Sequence, residues 1–177
     1  MTLENERSKG RTKAKHVCTP PDEYRRPSDL FGKIPEPHVS HRGADLRHQD
    51  LSGMNLIGAD FTEANLQGAN LSYADCEGAT FQWANLTNAW LVDGDFCRAN
   101  FTDAELTGAN LTRANLYEAQ LVHAKLSKAV LDHTTLRDAD LTMADLRFVD
   151  LTGAIGISEA ILDGAQPLGV KGTKRVP

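Results

Sequence analysis

Aromatic side chains make up only 6% of this 177-residue chain, and no stretch approaches the roughly 18–20 successive apolar residues of a membrane span. No membrane partner is therefore expected. An apolar run after Met1 is missing as well, so no secretory signal is read and the cytoplasm is the expected location. Cysteine is scarce. Cys18, Cys76 and Cys97 are an odd number at unrelated positions, which fits a reducing compartment better than a disulfide scaffold. Also missing are a Ser-His-Asp pattern, a glycine-rich phosphate loop, paired zinc cysteines and a metalloprotease signature, so no enzyme and no cofactor are expected. His38, His41 and His48 match no tight ligand spacing and read as surface residues rather than a metal site.

What the chain has instead is a period. From Leu46 to Leu151 a large apolar residue returns at every fifth position without an insertion, 22 times in all: 17 Leu, 4 Phe and 1 Cys. Two residues before it stands Ala in 17 of 22 units, and one residue before it Asp or Asn in 15 of 22, so the unit is Ala-(Asp/Asn)-Leu-x-x. Such self-similarity decides the architecture ahead of any local signal. In an α-helix each residue advances about 100°, and a leucine at every fifth position would wander around the cylinder. In a flat strand, where side chains alternate, an odd period would send successive leucines to opposite faces. What fits is a short extended piece that turns a corner within every unit, with Ala and Leu on one side and the residue between them on the other. Gly at the last position of six units (Gly53, Gly58, Gly68, Gly78, Gly108, Gly153) suits a corner that needs φ > 0. Asp and Asn suit corners too, by bonding nearby backbone.

These units resemble the pentapeptide-repeat family over residues 44–154. The resemblance implies an all-β fold, a right-handed quadrilateral β-helix with four units per coil, Leu or Phe and Ala inside, and the other three positions outside. Twenty-two units then make about 5.5 coils, and residues 20 apart stack. Phe61, Phe81 and Phe101 have that spacing and should form one internal column, continued by Leu121 and Leu141. Phe96 stacks on Cys76, and Gly94 replaces Ala in the same unit, which makes room for the ring.

Around the rod, the expected divisions are a basic disordered tail (1–29), a cap and lead-in (30–43), the repeats (44–154), a C-terminal cap (155–167) and a frayed end (168–177). An open solenoid end exposes core and unpaired edges, so Leu30, Phe31 and Ile34 are expected to cover the first coil. The tail's Arg7, Lys9, Arg11, Lys13 and Lys15 carry no interleaved aromatic, and no direct nucleic-acid binding is read from them. The register breaks after Ala154. Residues 157–164 read as a short capping helix, with Ser158 as N-cap and Gly164 past its end; one or two shifted repeats are the alternative. A homodimer joined through a solenoid end is compatible with this layout.

Two functions follow. The first is a rigid interaction scaffold for an unidentified protein that reads departures from the repeat. Sorting by 20-residue columns puts Tyr73, Trp90, Val92 and Val130 on one face, where Asn or Thr would be usual, and large exposed apolar groups mark contacts. Trp83, flanked in its column by Glu63 and Asp103, is a lesser candidate. The second comes from the resemblance: some family members, the quinolone-resistance proteins acting on DNA gyrase, are acidic rods that imitate duplex DNA. Here residues 44–154 carry 16 Asp/Glu against 7 Lys/Arg, net −9, and Asp75, Glu77 and Asp95 share one face. A rod of roughly 26 Å matches only about eight base pairs, however, and the repeats lack loop insertions, so the scaffold is favoured over the mimic.

Overall fold

A computed structural model describes residues 40–165. The basic tail, the expected cap residues Leu30, Phe31 and Ile34, and the end beyond residue 165 lie outside them. Each five-residue unit contributes one parallel backbone bridge: Ser40 pairs with Asp60, Asp45 with Asn65, and so on in steps of five to Thr135 with Ile155. Partners are twenty residues apart, so four units close one coil and the chain climbs as a four-sided rod. We name the sides by their inward columns. Side A carries Phe61, Phe81 and Phe101, side B Leu66 and Leu86, side C Leu71 and Leu91, and side D Cys76 and Phe96.

The corners explain the unit. Each is a β-turn closed by the next alanine, as where the Ala64 N–H donates to the Phe61 carbonyl at 2.9 Å. Positive φ falls on the third turn residue alone, the type II pattern. At all 22 such positions from Gly43 to Phe148, φ lies between 54° and 69°, and 16 of these residues are not glycine. Left-handed backbone costs an L-residue roughly 1–2 kcal/mol, so local preference does not hold these corners. Hydrogen bonding between coils does. The Leu66 N–H donates to the Asn85 carbonyl (2.7 Å), the Gly68 N–H to Thr87 (3.0 Å), and the Asn85 N–H back to Ala64 (2.9 Å).

That leaves one donor per unit, the N–H of the first corner residue. In all 15 units with Asp or Asn before the large apolar residue, the side-chain Oδ1 accepts this N–H from two residues on, at 2.9 to 3.4 Å. With it, all five N–H groups of a unit that has a coil on either side, such as those of Asn65, Asn85 and Asn110, are paired, which buried or half-buried backbone requires. The repeated Asp/Asn is thus a backbone partner before it is a surface charge.

Inside, the apolar columns are sealed. Phe61 and Phe81 stack at 5.0 Å between ring centroids, and Phe81 and Phe101 at 4.8 Å, with Leu121 and Leu141 continuing the column. Phe96 meets Phe81 at 6.0 Å and 62°, an edge-on contact, and fills the space beside Gly94: a Cβ on that glycine would overlap ring atom Cε2 and lie 3.0 Å from Cζ. Thr134 stands in an alanine slot, fully buried, and satisfies its hydroxyl by donating to the Leu111 carbonyl at 2.7 Å.

Two expectations change. His41 is more than a surface residue: half-buried, it occupies the inward slot one unit before Leu46 and stacks on Phe61 at 4.9 Å and 13°, so the repeat begins earlier than the leucines indicate. Cys76 is a buried free thiol in the column of side D. The capping helix over 157–164 does not form. Residues 157–159 make a turn, and Ile161 bridges Asp140 at an offset of 21, the shifted repeat that was the alternative. One inserted residue is absorbed around Gly156 (φ 76°), and the ladder then resumes, Leu141 N–H donating to the Ile161 carbonyl at 2.8 Å. Ile161 therefore points outward and stays exposed, as does Phe148, while Ile157 and Leu162 pack against the core.

Candidate interaction surface

Side C brings together the apolar residues picked out in the sequence. Trp90 and Val130 occupy its outward column with Asn110 between them, each bridged to the next, so about 10 Å separates their backbones. Both stand in the slot that the repeat gives to Asp or Asn, and neither side chain can accept the corner N–H. Tyr73 and Val92 lie on the adjoining corner between sides C and D, joined where the Tyr73 N–H donates to the Val92 carbonyl at 2.9 Å. Tyr73 is 59% exposed, Trp90 55% and Val130 46%, whereas Val92 is half-buried and contributes an edge. Packing inside the rod makes no use of the first three. Met143, Phe148, Ile155 and Ile161 are also exposed, on the last described coils, as are Met54 and Ile57 on the first and Trp83 between them.

The acidic trio does not form a solvent-facing set. Asp95 is buried at 7% exposure: its Oδ1 accepts from the Cys97 N–H at 3.2 Å and from Asn115 Nδ2 at 3.0 Å. Alternation puts Asp95 outward, but neighbouring coils close over it. Asp75 is half-buried and accepts the Glu77 N–H, and Glu77 faces Arg98 at 3.7 Å. Elsewhere the cations clip coil to coil: Arg42 to Glu63 at 2.6 Å, Arg98 to Glu118 at 2.7 Å, Lys125 to Glu105 at 2.9 Å, and Arg113 to Asp93 by two parallel bonds.

Bonding at the corners also sets the acid response. Arg47, through its side chain and then its N–H, holds the Asp45 carboxyl down to about 2. Ser52 and Thr62 hold Asp50 and Asp60 below the usual range, as the Arg47-like partner Arg147 does for Asp145. A carboxyl lowered by folding contributes stability that is complete above its unfolded value, near 4, and lost as pH falls through its folded value. Thermal unfolding followed from pH 5 to pH 2 should therefore show a progressive loss below about pH 4; a flat profile would mean that these bonds are not made in solution.

The profile of the family described as pentapeptide repeats matches in eight copies, over residues 42–75, 79–116 and 119–155. The chain is a pentapeptide-repeat protein. Its membership implies the right-handed form of the four-sided β-helix. Among solved structures, HetL, a pentapeptide repeat protein involved in heterocyst differentiation regulation in the cyanobacterium Nostoc sp. strain PCC 7120, is similar at 29% identity and a TM-score of 0.52, covering 78% of this chain and 68% of HetL. A pentapeptide repeat protein of the Arabidopsis thaliana thylakoid lumen is 37% identical over 61% of this chain and 68% of its own, with a TM-score of 0.42. QnrB1, a plasmid-mediated fluoroquinolone resistance protein, is 21% identical over 69% and 78%, with a TM-score of 0.41. No curated protein sequence matches the pentapeptide-repeat chain. Among its described residues no helix is long and apolar enough to cross a membrane.

Proposed function

We propose that this pentapeptide-repeat protein is a non-catalytic, rigid scaffold of about 5.5 repeat coils that binds a protein partner through side C and the C/D corner. One observation carries the reading. Trp90 and Val130 replace the residue type whose side chain completes the corner hydrogen bonding in every one of the 15 units that carry it, so these two positions offer the corner N–H no side-chain acceptor and expose apolar surface instead. Proteins retain contiguous exposed apolar groups where something covers them. The likeness to HetL, named for a part in regulating differentiation, supports a regulatory role. The second reading, an acidic mimic of DNA directed at gyrase or another DNA-binding protein, rests on net charge alone, because Asp95 is buried and Glu77 is paired.

A single experiment separates the two. Trp90→Asn and Val130→Asn restore the corner acceptors, and Tyr73→Ser removes the adjoining ring. This triple variant should melt at or above the parent's temperature, since each restored hydrogen bond is worth about 0.5–1.5 kcal/mol. In pull-downs from the source cells it should lose a partner that the parent and an Asp75→Asn/Glu77→Gln variant both retain. Loss in the amide variant, with the triple variant still binding, would favour the mimic instead.

A further inference from the structure

The corner between sides A and B is diagonally opposite the C/D corner and takes no part in the surface just described. Its third positions run Gly43, Glu63, Trp83, Asp103, His123 and Met143, each on successive coils. The Glu63 N–H donates to the Gln82 carbonyl at 2.8 Å and the Trp83 N–H to the Thr102 carbonyl at 3.2 Å, so the indole has a carboxylate one coil below and another one coil above, about 4.8 Å away along the axis. Trp83 is 54% exposed, and Glu63 and Asp103 are exposed beside it. A large ring in left-handed backbone (φ 56°) that buries so little gains nothing from the core in return.

An indole face between two carboxylates attracts a flat cation: the ring quadrupole draws positive charge onto its face, and guanidinium both stacks on aromatic planes and forks onto carboxylates. The rod already holds one guanidinium here, since Arg42 Nη2 donates to Glu63 Oε1 at 2.6 Å. We propose that the Glu63–Trp83–Asp103 corner binds an arginine side chain of a basic partner segment, the guanidinium stacked on Trp83 and bonded to the carboxylates on either side. A lysine ammonium, compact and strongly hydrated, fits this site less well.

In the Trp90→Phe protein Trp83 is the remaining tryptophan of two, so its fluorescence reports this corner alone. Titration with an octa-arginine peptide should give a saturable change, with binding several-fold weaker for octa-lysine. Glu63→Gln with Asp103→Asn should weaken octa-arginine binding by about tenfold, the scale of one charge-assisted contact. Asp132→Asn with Asp138→Asn removes the same charge from exposed positions elsewhere and should change it by less than about twofold. Arg42→Ala, which frees Glu63, should tighten binding. Equal losses in the two double variants, no preference for arginine over lysine, a tryptophan signal indifferent to peptide, or no gain from Arg42→Ala would each overturn the proposal.

Discussion

Leu111→Asp should leave little folded protein at room temperature, whereas Thr112→Asp, one residue on, should melt within a few degrees of the parent. Leu111 is fully buried between Leu91 and Leu131 in its column, with apolar neighbours on every side. A carboxylate placed there has no partner, and burying it costs several kcal/mol, a large part of the total stability of an ordinary domain. Because each coil rests on the next, the damage is not confined to one unit. Thr112 faces outward. Its N–H and hydroxyl both donate to Asn110 Oδ1, so aspartate there loses one side-chain bond at the surface and stays near the roughly 0.5 kcal/mol of ordinary surface substitutions. Thermal unfolding by circular dichroism checks the pair, and similar losses in both would sink the inside and outside assignment.

The second large effect is expected at Gly94. Its alanine variant should lose about 1–3 kcal/mol, the usual cost of overpacking a filled core. That is the reverse of what the repeat suggests, since alanine is the common residue of this slot. The Phe96 ring cannot retreat from the new methyl group, being held edge-on by Phe81 and at 5.7 Å by Phe101. Phe96→Leu should therefore rescue Gly94→Ala. In a double-mutant cycle the double variant should be more stable than the two single losses predict, by an amount measurable for residues in contact. Additive losses would place the strain elsewhere, for instance at the Leu91 carbonyl, 3.2 Å from the same Cβ.

Regularity made most of the fold legible. Four units per coil, the Phe61–Phe81–Phe101 column and the space beside Gly94 all follow from the period once residues 20 apart are stacked. The misreadings fall where local signals compete with the ladder. Ser158 and Gly164 are sound helix-end residues, but a helix over 157–164 would leave the Leu141 and Met143 N–H groups unpaired, and they bond instead to Ile161 and Asp163. His41 was hidden because imidazole is not leucine, although counting back five from Leu46 lands on it. Asp95 shows the limit of alternation, which gives a side chain's direction but not what closes over it. The four apolar candidates were readable as a group because outward columns are as regular as inward ones. That a tryptophan or valine there forgoes a corner bond became visible only when every aspartate and asparagine was seen to make it.

The one-residue insertion near Gly156 has a consequence for assembly. A solenoid with perfect repeats presents at each end the same template that its own coils use, so a second rod can add to the first and a third to the second, the route by which open-ended contacts grow into fibres. The bridge from Asp140 to Ile161 breaks that template, because the offset of 21 displaces the last rungs by one residue relative to any incoming coil in step with the repeat. Repeats of a second copy, in step at twenty residues, would meet Ile161 one residue out of register, which disfavours end-to-end pairing along this side of the described coils.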